Sequence, residues 1–202
     1  VGSSLEDPLS FDHNGPSFVS ALEGTVLPQR VAFSPDLGIV PMESEVAEIC
    51  GAAAQRFTEI GAEVCDAAPD FSGVIEGFQT LRGVLIAVLM ETLLEDHRDR
   101  IAPEIVWNIE KGLTATNAEI LKAERVRWEL YHRMASFFEH YDLLLCPTVS
   151  VPPFPMEQRY VETIAGQPTE TYIDWIAITF AVTMTSCPAL SLPAGFSSSG
   201  LP

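Results

Sequence analysis

The residues that come nearest to a catalytic pattern are Ser197, Ser198 and Ser199, set between Gly195 and Gly200. Serines flanked by glycines suit an activated hydroxyl nucleophile, but such a nucleophile needs a base within hydrogen-bond reach. No lysine, arginine or histidine occurs in residues 160–202. The stretch therefore reads as a solvent-facing turn that uses the conformational preferences of glycine and serine. No serine stands in a Gly-x-Ser-x-Gly elbow. His13, His97, His132 and His140 are isolated, so no metal site is expected. His97 does lie in Glu95-Asp96-His97-Arg98-Asp99, a cluster read as a solvated helix end. The loop at 34–41 has one glycine and two prolines where a phosphate cradle needs several glycines and free amides. It reads as scaffold, and no cofactor is expected.

Chemistry needs elements to hold it, and residues 172–202 are where those elements lead. An apolar, aromatic helix is predicted over 172–184, followed by the small-residue turn Thr185-Ser186-Cys187, Pro188, a short strand over 189–192, and a break at Pro193 and Gly195. A hydrophobic element that ends in a strand tipped by glycine and proline is where α/β proteins commonly place ligands.

Upstream, residues 1–29 are rich in Pro, Gly, Ser and Asp and read as a connecting arm, with a short helix over 17–22. Residues 30–202 read as part of a single α/β domain. A strand at 30–34, a helix at 44–60 and a strand at 62–65 make a βαβ unit over a parallel sheet. Val46, Ile49, Ala53, Phe57 and Ile60 share one helix face, and Gly61 supplies the stop. Ser72 is expected to cap a helix reaching about residue 94, and Pro103 to open a short helix ended by Gly112. Thr116 and Glu119 form a capping-box pattern at the head of a helix running to about residue 140. Its buried stripe is Ile120, Ala123, Val126, Leu130, Met134 and Phe137, while Lys122, Arg125 and Glu129 point outward. Residues 142–147 read as a central strand covered on both faces. The long loop at 148–171 is of a length that is usually functional or mobile.

Composition narrows the function classes. The 202 residues are 47% hydrophobic, enough for a sizeable core. A formal charge of −17 would repel phosphate backbones and anionic headgroups, so neither nucleic acid nor a membrane surface is an expected partner. The longest apolar run, 84–90, is far short of the roughly 20 residues of a span. Cys50, Cys65, Cys146 and Cys187 have no paired spacing and read as buried thiols of a cytoplasmic protein.

Four motifs in order carry a family resemblance: Asp7-Pro8-Leu9-Ser10; RVAFSPDLG at 30–38; YDLLLCPT at 141–148 with its proline-rich tail; and CPALSLPAGF at 187–196 with GLP at 200–202. Together they resemble the C-terminal half of an amidase signature enzyme. The resemblance implies a mixed, largely parallel sheet with helices on both faces, incomplete here, and a small-molecule amide substrate. It also implies a Ser, cis-Ser, Lys triad in an N-terminal half, so no catalytic residue is expected in this segment, which alone would be inactive. Val1 and the stop after Pro202 then read as cut edges.

By the same resemblance the helix at 172–183 lines the substrate pocket, with Ile173, Ile176 and Phe180 inward and Trp175 at the rim. Thr183 and Ser186 stand where relatives more often have Asn and Gly. Asp174 lies near an acid that glutamine-using tRNA amidotransferase members employ to bind the substrate's amino group. An aromatic stripe at helical spacing also serves simply as core. Three readings stay open: half of an amidase, including one that forms a homodimer; a non-catalytic α/β binding module; and an amidase-like subunit of an amidotransferase.

Overall fold

Residues 2–7, 9–24 and 26–202 are described by a computed structural model; Pro8 of the first motif lies outside them. The described residues up to 29 carry one isolated bridge, Ser4 with Asp7, and a single 3-10 turn, Ser20–Leu22, at the end of the helix expected over 17–22.

Strand β1, Arg30–Phe33, is followed by α1, Ser44–Gln55, and β2, Glu63–Asp66, which pairs parallel to β1 with Arg30 opposite Glu63. The expected helix over 44–60 tightens into a 3-10 turn at Arg56–Ile60. That change of pitch carries Ile60 off the apolar face, and it is 45% exposed. Gly61 closes the element in the left-handed conformation, φ 89°.

Helix α2, Val74–His97, begins at Gly73 rather than at a Ser72 cap; Ser72 instead donates to the Asp70 carboxylate at 2.9 Å. Helix α3, Pro103–Thr114, runs past Gly112 because that glycine serves the crossing with α2: a Cβ there would stand 2.0 Å from the Gly83 carbonyl oxygen. Helix α4, Asn117–Phe137, starts on the capping box that the sequence predicts, Thr116 with Glu119. Ala123, Leu130 and Met134 of its stripe are buried; Ile120, Val126 and Phe137 are partly so.

Strand β3, Leu143–Leu145, also pairs parallel to β1, giving the order β2-β1-β3. Within this sheet β1, not β3, is central. Paired residues share a sheet face, so Ala32 and Leu144 point one way, and Phe33 and Leu145 the other. Phe33 meets Gly51 of α1, while Leu144 packs on the cluster of Leu130, Met134, Ile178 and Met184. Helices thus cover both faces, as in an α/β layer structure.

The loop after β3 holds a two-stranded hairpin, β4 at Thr163–Ile164 and β5 at Gln167–Pro168, turned on Ala165 and Gly166. Helix α5, Ala177–Met184, follows a 3-10 turn at Asp174–Ile176. The strand expected over 189–192 does not form: a strand exists by pairing, no described strand lies beside it, and Leu190 and Leu192 are 82% and 68% exposed.

With the 3-10 turn that follows it, α2 is long and apolar enough to cross a membrane by length and composition, although its longest unbroken apolar run is short. It packs against α3, α4 and α5.

Candidate substrate-pocket wall

The entry to α5 is held by Asp174. Its carboxylate accepts the backbone N–H groups of Glu170 at 2.7 Å and Thr171 at 2.8 Å, and also the Thr171 hydroxyl. Asp174 is therefore spent on closing its own turn. Trp175 donates its indole N–H to the Tyr172 carbonyl at 3.1 Å and meets Phe154 edge-on, with centroids 5.3 Å apart. Its own carbonyl accepts from the Ser150 N–H at 2.9 Å, so both side chain and backbone tie it to the 148–171 loop.

Beyond this turn α5 shows two unlike faces. Ile173, Ala177 and Phe180 form a buried cluster, with Tyr172, Ile176, Val40, Ile75 and Phe78 packed around it. Phe180 is 3% exposed and stacks on Phe78. The structure thus brings Ile173, Ile176 and Phe180 together, inside the seam between α5 and α2.

The open face is hydroxylic. Thr179, Thr183 and Ser186 follow one another at spacings of four and three and are exposed. Thr179 donates to the Thr148 carbonyl at 2.6 Å, and Thr183 to the Thr179 carbonyl at 3.0 Å. Thr179 extends the Thr183 and Ser186 pair; the helical spacing of the three is the signal that shows it. Ser186 has φ 60°, in the left-handed region where glycine is at ease and an L-residue is strained.

A polar cluster closes the Tyr172 end. Arg82 on α2 donates to Asn108 Oδ1 at 2.5 Å and to the Tyr172 hydroxyl at 2.6 Å; Asn108 Nδ2 donates to the same hydroxyl at 2.7 Å and to the Glu104 carbonyl at 2.5 Å. Arg82, Asn108 and Tyr172, 26 to 90 positions apart, gave no sequence signal of this meeting.

The serines of residues 197–199 serve their own turn. Ser197 Oγ donates to the Leu201 carbonyl at 2.9 Å, and the Ser198 N–H reaches Glu45 at 2.6 Å, holding that carboxyl below its ordinary range. The chain's two lysines lie elsewhere: Lys122 pairs with Glu76 at 2.8 Å, and Lys111 stands 5.0 Å over the Trp107 ring. Lys111 also lines a cavity of about 100 Å³ with Thr80, Thr114, Ala115 and Glu119, away from α5. Among the described residues neither lysine is hydrogen-bonded to a serine, and no cluster of three or more His, Cys, Asp or Glu side chains could hold a metal.

A sequence model of the family described as Amidase matches residues 3–202. The chain is 29% identical over 205 residues to an acylamidase of Rhodococcus erythropolis, covering all of this chain and 43% of the relative. It is also 29% identical over 231 residues to a glutamyl-tRNA(Gln) amidotransferase subunit of Moorella thermoacetica, covering all of this chain and 45% of that one. In fold it is similar to a bacterial aryl acylamidase of the amidase signature family, with TM-score 0.83 at 23% identity over 98% of this chain and 43% of that one. The 6-aminohexanoate cyclic dimer hydrolase gives TM-score 0.80 at 19% identity, over 100% and 45% of the two chains. The chain thus spans less than half the length of these relatives.

Proposed function

The chain belongs to the amidase family, and from that premise we propose that it forms the substrate-pocket half of an enzyme that hydrolyses a carboxylic amide C–N bond. The observation that carries this reading is the family match over residues 3–202, on a fold shared with amidase signature enzymes.

In this reading the reacting groups, a Ser, cis-Ser, Lys triad, lie in polypeptide N-terminal to these 202 residues. A serine hydroxyl attacks the amide carbonyl and its proton passes through the second serine to the lysine; that proton is then delivered to the nitrogen as the C–N bond breaks and the amine leaves, and water hydrolyses the acyl-serine ester to the acid and free serine. Residues 172–186 contribute the wall. Ile173, Ile176 and Phe180 back it from the α2 seam, Trp175 stands at its rim, and Thr179, Thr183 and Ser186 offer a hydroxyl surface. Asp174 fixes the turn from which the wall starts. The four free thiols support a reducing, cytoplasmic setting.

Fluorophosphonate labelling of the full-length polypeptide tests the reading. Stoichiometric modification of one serine N-terminal to this segment is the expected result. A folded protein that takes up no label overturns it and favours a binding module. The likeness to an amidotransferase component motivates a second reading, an amidase-like subunit of a larger assembly. Co-purification of partner proteins would support that; a clean homodimer would count against it.

A further inference from the structure

We propose that Arg82, Asn108 and Tyr172 form a subsite for a carboxylate carried by the substrate, at the Tyr172 end of the pocket wall. The inference rests on reading that wall as a substrate pocket, and it narrows the substrate to amides with an anionic group remote from the scissile bond.

A phenolic oxygen accepts at most two hydrogen bonds and donates one. In Tyr172 both acceptor positions are filled, by Arg82 Nη2 at 2.6 Å and Asn108 Nδ2 at 2.7 Å. Its own hydrogen must point elsewhere, and among the described residues no acceptor meets it. Asn108 has nothing left to offer: it is 0% exposed, its oxygen receives Arg82 and its nitrogen is shared between Tyr172 and the Glu104 carbonyl.

Arg82 is the other half of the case. A guanidinium carries five N–H donors, and the hydrogen bonds of this one go only to neutral groups, Asn108 and Tyr172. Among the described residues it enters no ion pair; the pairs formed by arginine or lysine involve Arg30, Arg56, Arg98, Lys122, Arg127, Arg133 and Arg159. A partly buried cation without a counter-charge is costly. The chain has 28 acidic side chains and a net charge of −17, yet among the described residues none forms an ion pair with Arg82. A planar carboxylate matches both the arginine fork and the unspent phenolic hydrogen.

The subsite adjoins a buried apolar cluster. The Tyr172 ring packs on the cluster of Ile173, Ala177 and Phe180. Gln79, one helical turn before Arg82 and 3% exposed, donates to Thr171 Oγ1 at 3.2 Å and so steadies the residue next to Tyr172. The ligand that fits presents a carboxylate to Arg82 and Tyr172.

Calorimetric titration of the full-length protein with pentanoate, and with its uncharged isostere 1-nitrobutane, tests the subsite. Pentanoate is expected to bind at least roughly tenfold more tightly, the scale of a charge-assisted hydrogen bond. Arg82→Gln should bring the ratio of the two affinities near one, Tyr172→Phe should reduce it several-fold, and Arg82→Lys should keep part of it. Equal affinities in the wild type, or variants that weaken both ligands alike, overturn the proposal. Each variant's unfolding transition is recorded, and if Arg82→Gln does not fold, Tyr172→Phe carries the comparison. Amide hydrolysis without carboxylate preference would sink the subsite alone. Carboxylate preference in a protein that takes no fluorophosphonate would sink the amidase reading and leave the subsite standing.

Discussion

Phe78 of α2 and Phe180 of α5 lie face to face, with ring centroids 4.2 Å apart and planes within 2° of parallel. This stack joins α5 to α2, and Ile173, Ile75 and Val40 pack about it. Phe180 is therefore core, and the proposed role in binding separates from it by experiment.

Phe180→Ala removes a ring that is 3% exposed and leaves Phe78 without its partner. The expected loss is about 3–5 kcal/mol of unfolding free energy, the usual cost of an aromatic cavity. Denaturant titration measures it. A loss under about 1 kcal/mol accompanied by a changed acyl preference would show that the ring faces substrate instead.

The crossing of α2 and α3 gives a sharper case. Gly112 approaches Gly83 so closely that an alanine Cβ would stand 2.0 Å from the Gly83 carbonyl oxygen and 2.8 Å from Ala87 Cβ. Gly112→Ala must push the helices apart, and overpacking of this kind costs at least about 1–3 kcal/mol. Gly61→Ala is the comparison, because nothing lies within 4 Å of a Cβ there and only its left-handed φ of 89° opposes the change. If Gly112→Ala proves milder than Gly61→Ala, the helices are not packed as closely as described.

Local chemistry explains which of these features the sequence displays. The stop at Gly61 and the Thr116–Glu119 box each depend on residues a few positions apart, and the βαβ unit joins elements that follow one another directly in the chain; the fold has all three. The place of β3 at an edge depends instead on which strands are present to pair with it. Residues 189–192 carry a strand's composition and stay unpaired for the same reason. At the wall, the spacing of Ile173, Ile176 and Phe180 shows a common face but not what covers it, and α2 does so. The meeting of Arg82 with Tyr172, 90 residues away, has no periodic trace at all.

Ser186 holds a φ of 60°, which glycine adopts freely and serine does not. An L-residue in this region costs roughly 1–2 kcal/mol, offset by the larger entropy that glycine loses on folding, roughly 0.5–1 kcal/mol. Ser186→Gly should therefore raise unfolding free energy by up to about 1.5 kcal/mol. A thermal melt reads the change, and a fall in Tm would show that the exposed hydroxyl contributes more than the backbone strain costs.

Asp142 ties the head of β3 to β1: its Oδ2 accepts the backbone N–H groups of Gln29 at 2.7 Å and Arg30 at 2.9 Å. The hydrogen bond from Arg30 and then that from Gln29 hold its carboxyl below the ordinary value of 3.8. A depressed folded-state value means that protons bind the unfolded chain more readily, so stability rises with pH across this window. The contribution is fully present above 3.8 and is lost as pH falls through the lower folded value. Asp142→Asn keeps an acceptor oxygen but removes the titration. The wild type should be the more stable of the two at neutral pH, with the gap closing as acid is added below pH 4. Parallel urea titrations across that range measure it, and a gap that stays constant to the lowest pH would mean that the ionised carboxylate is not what joins the strands.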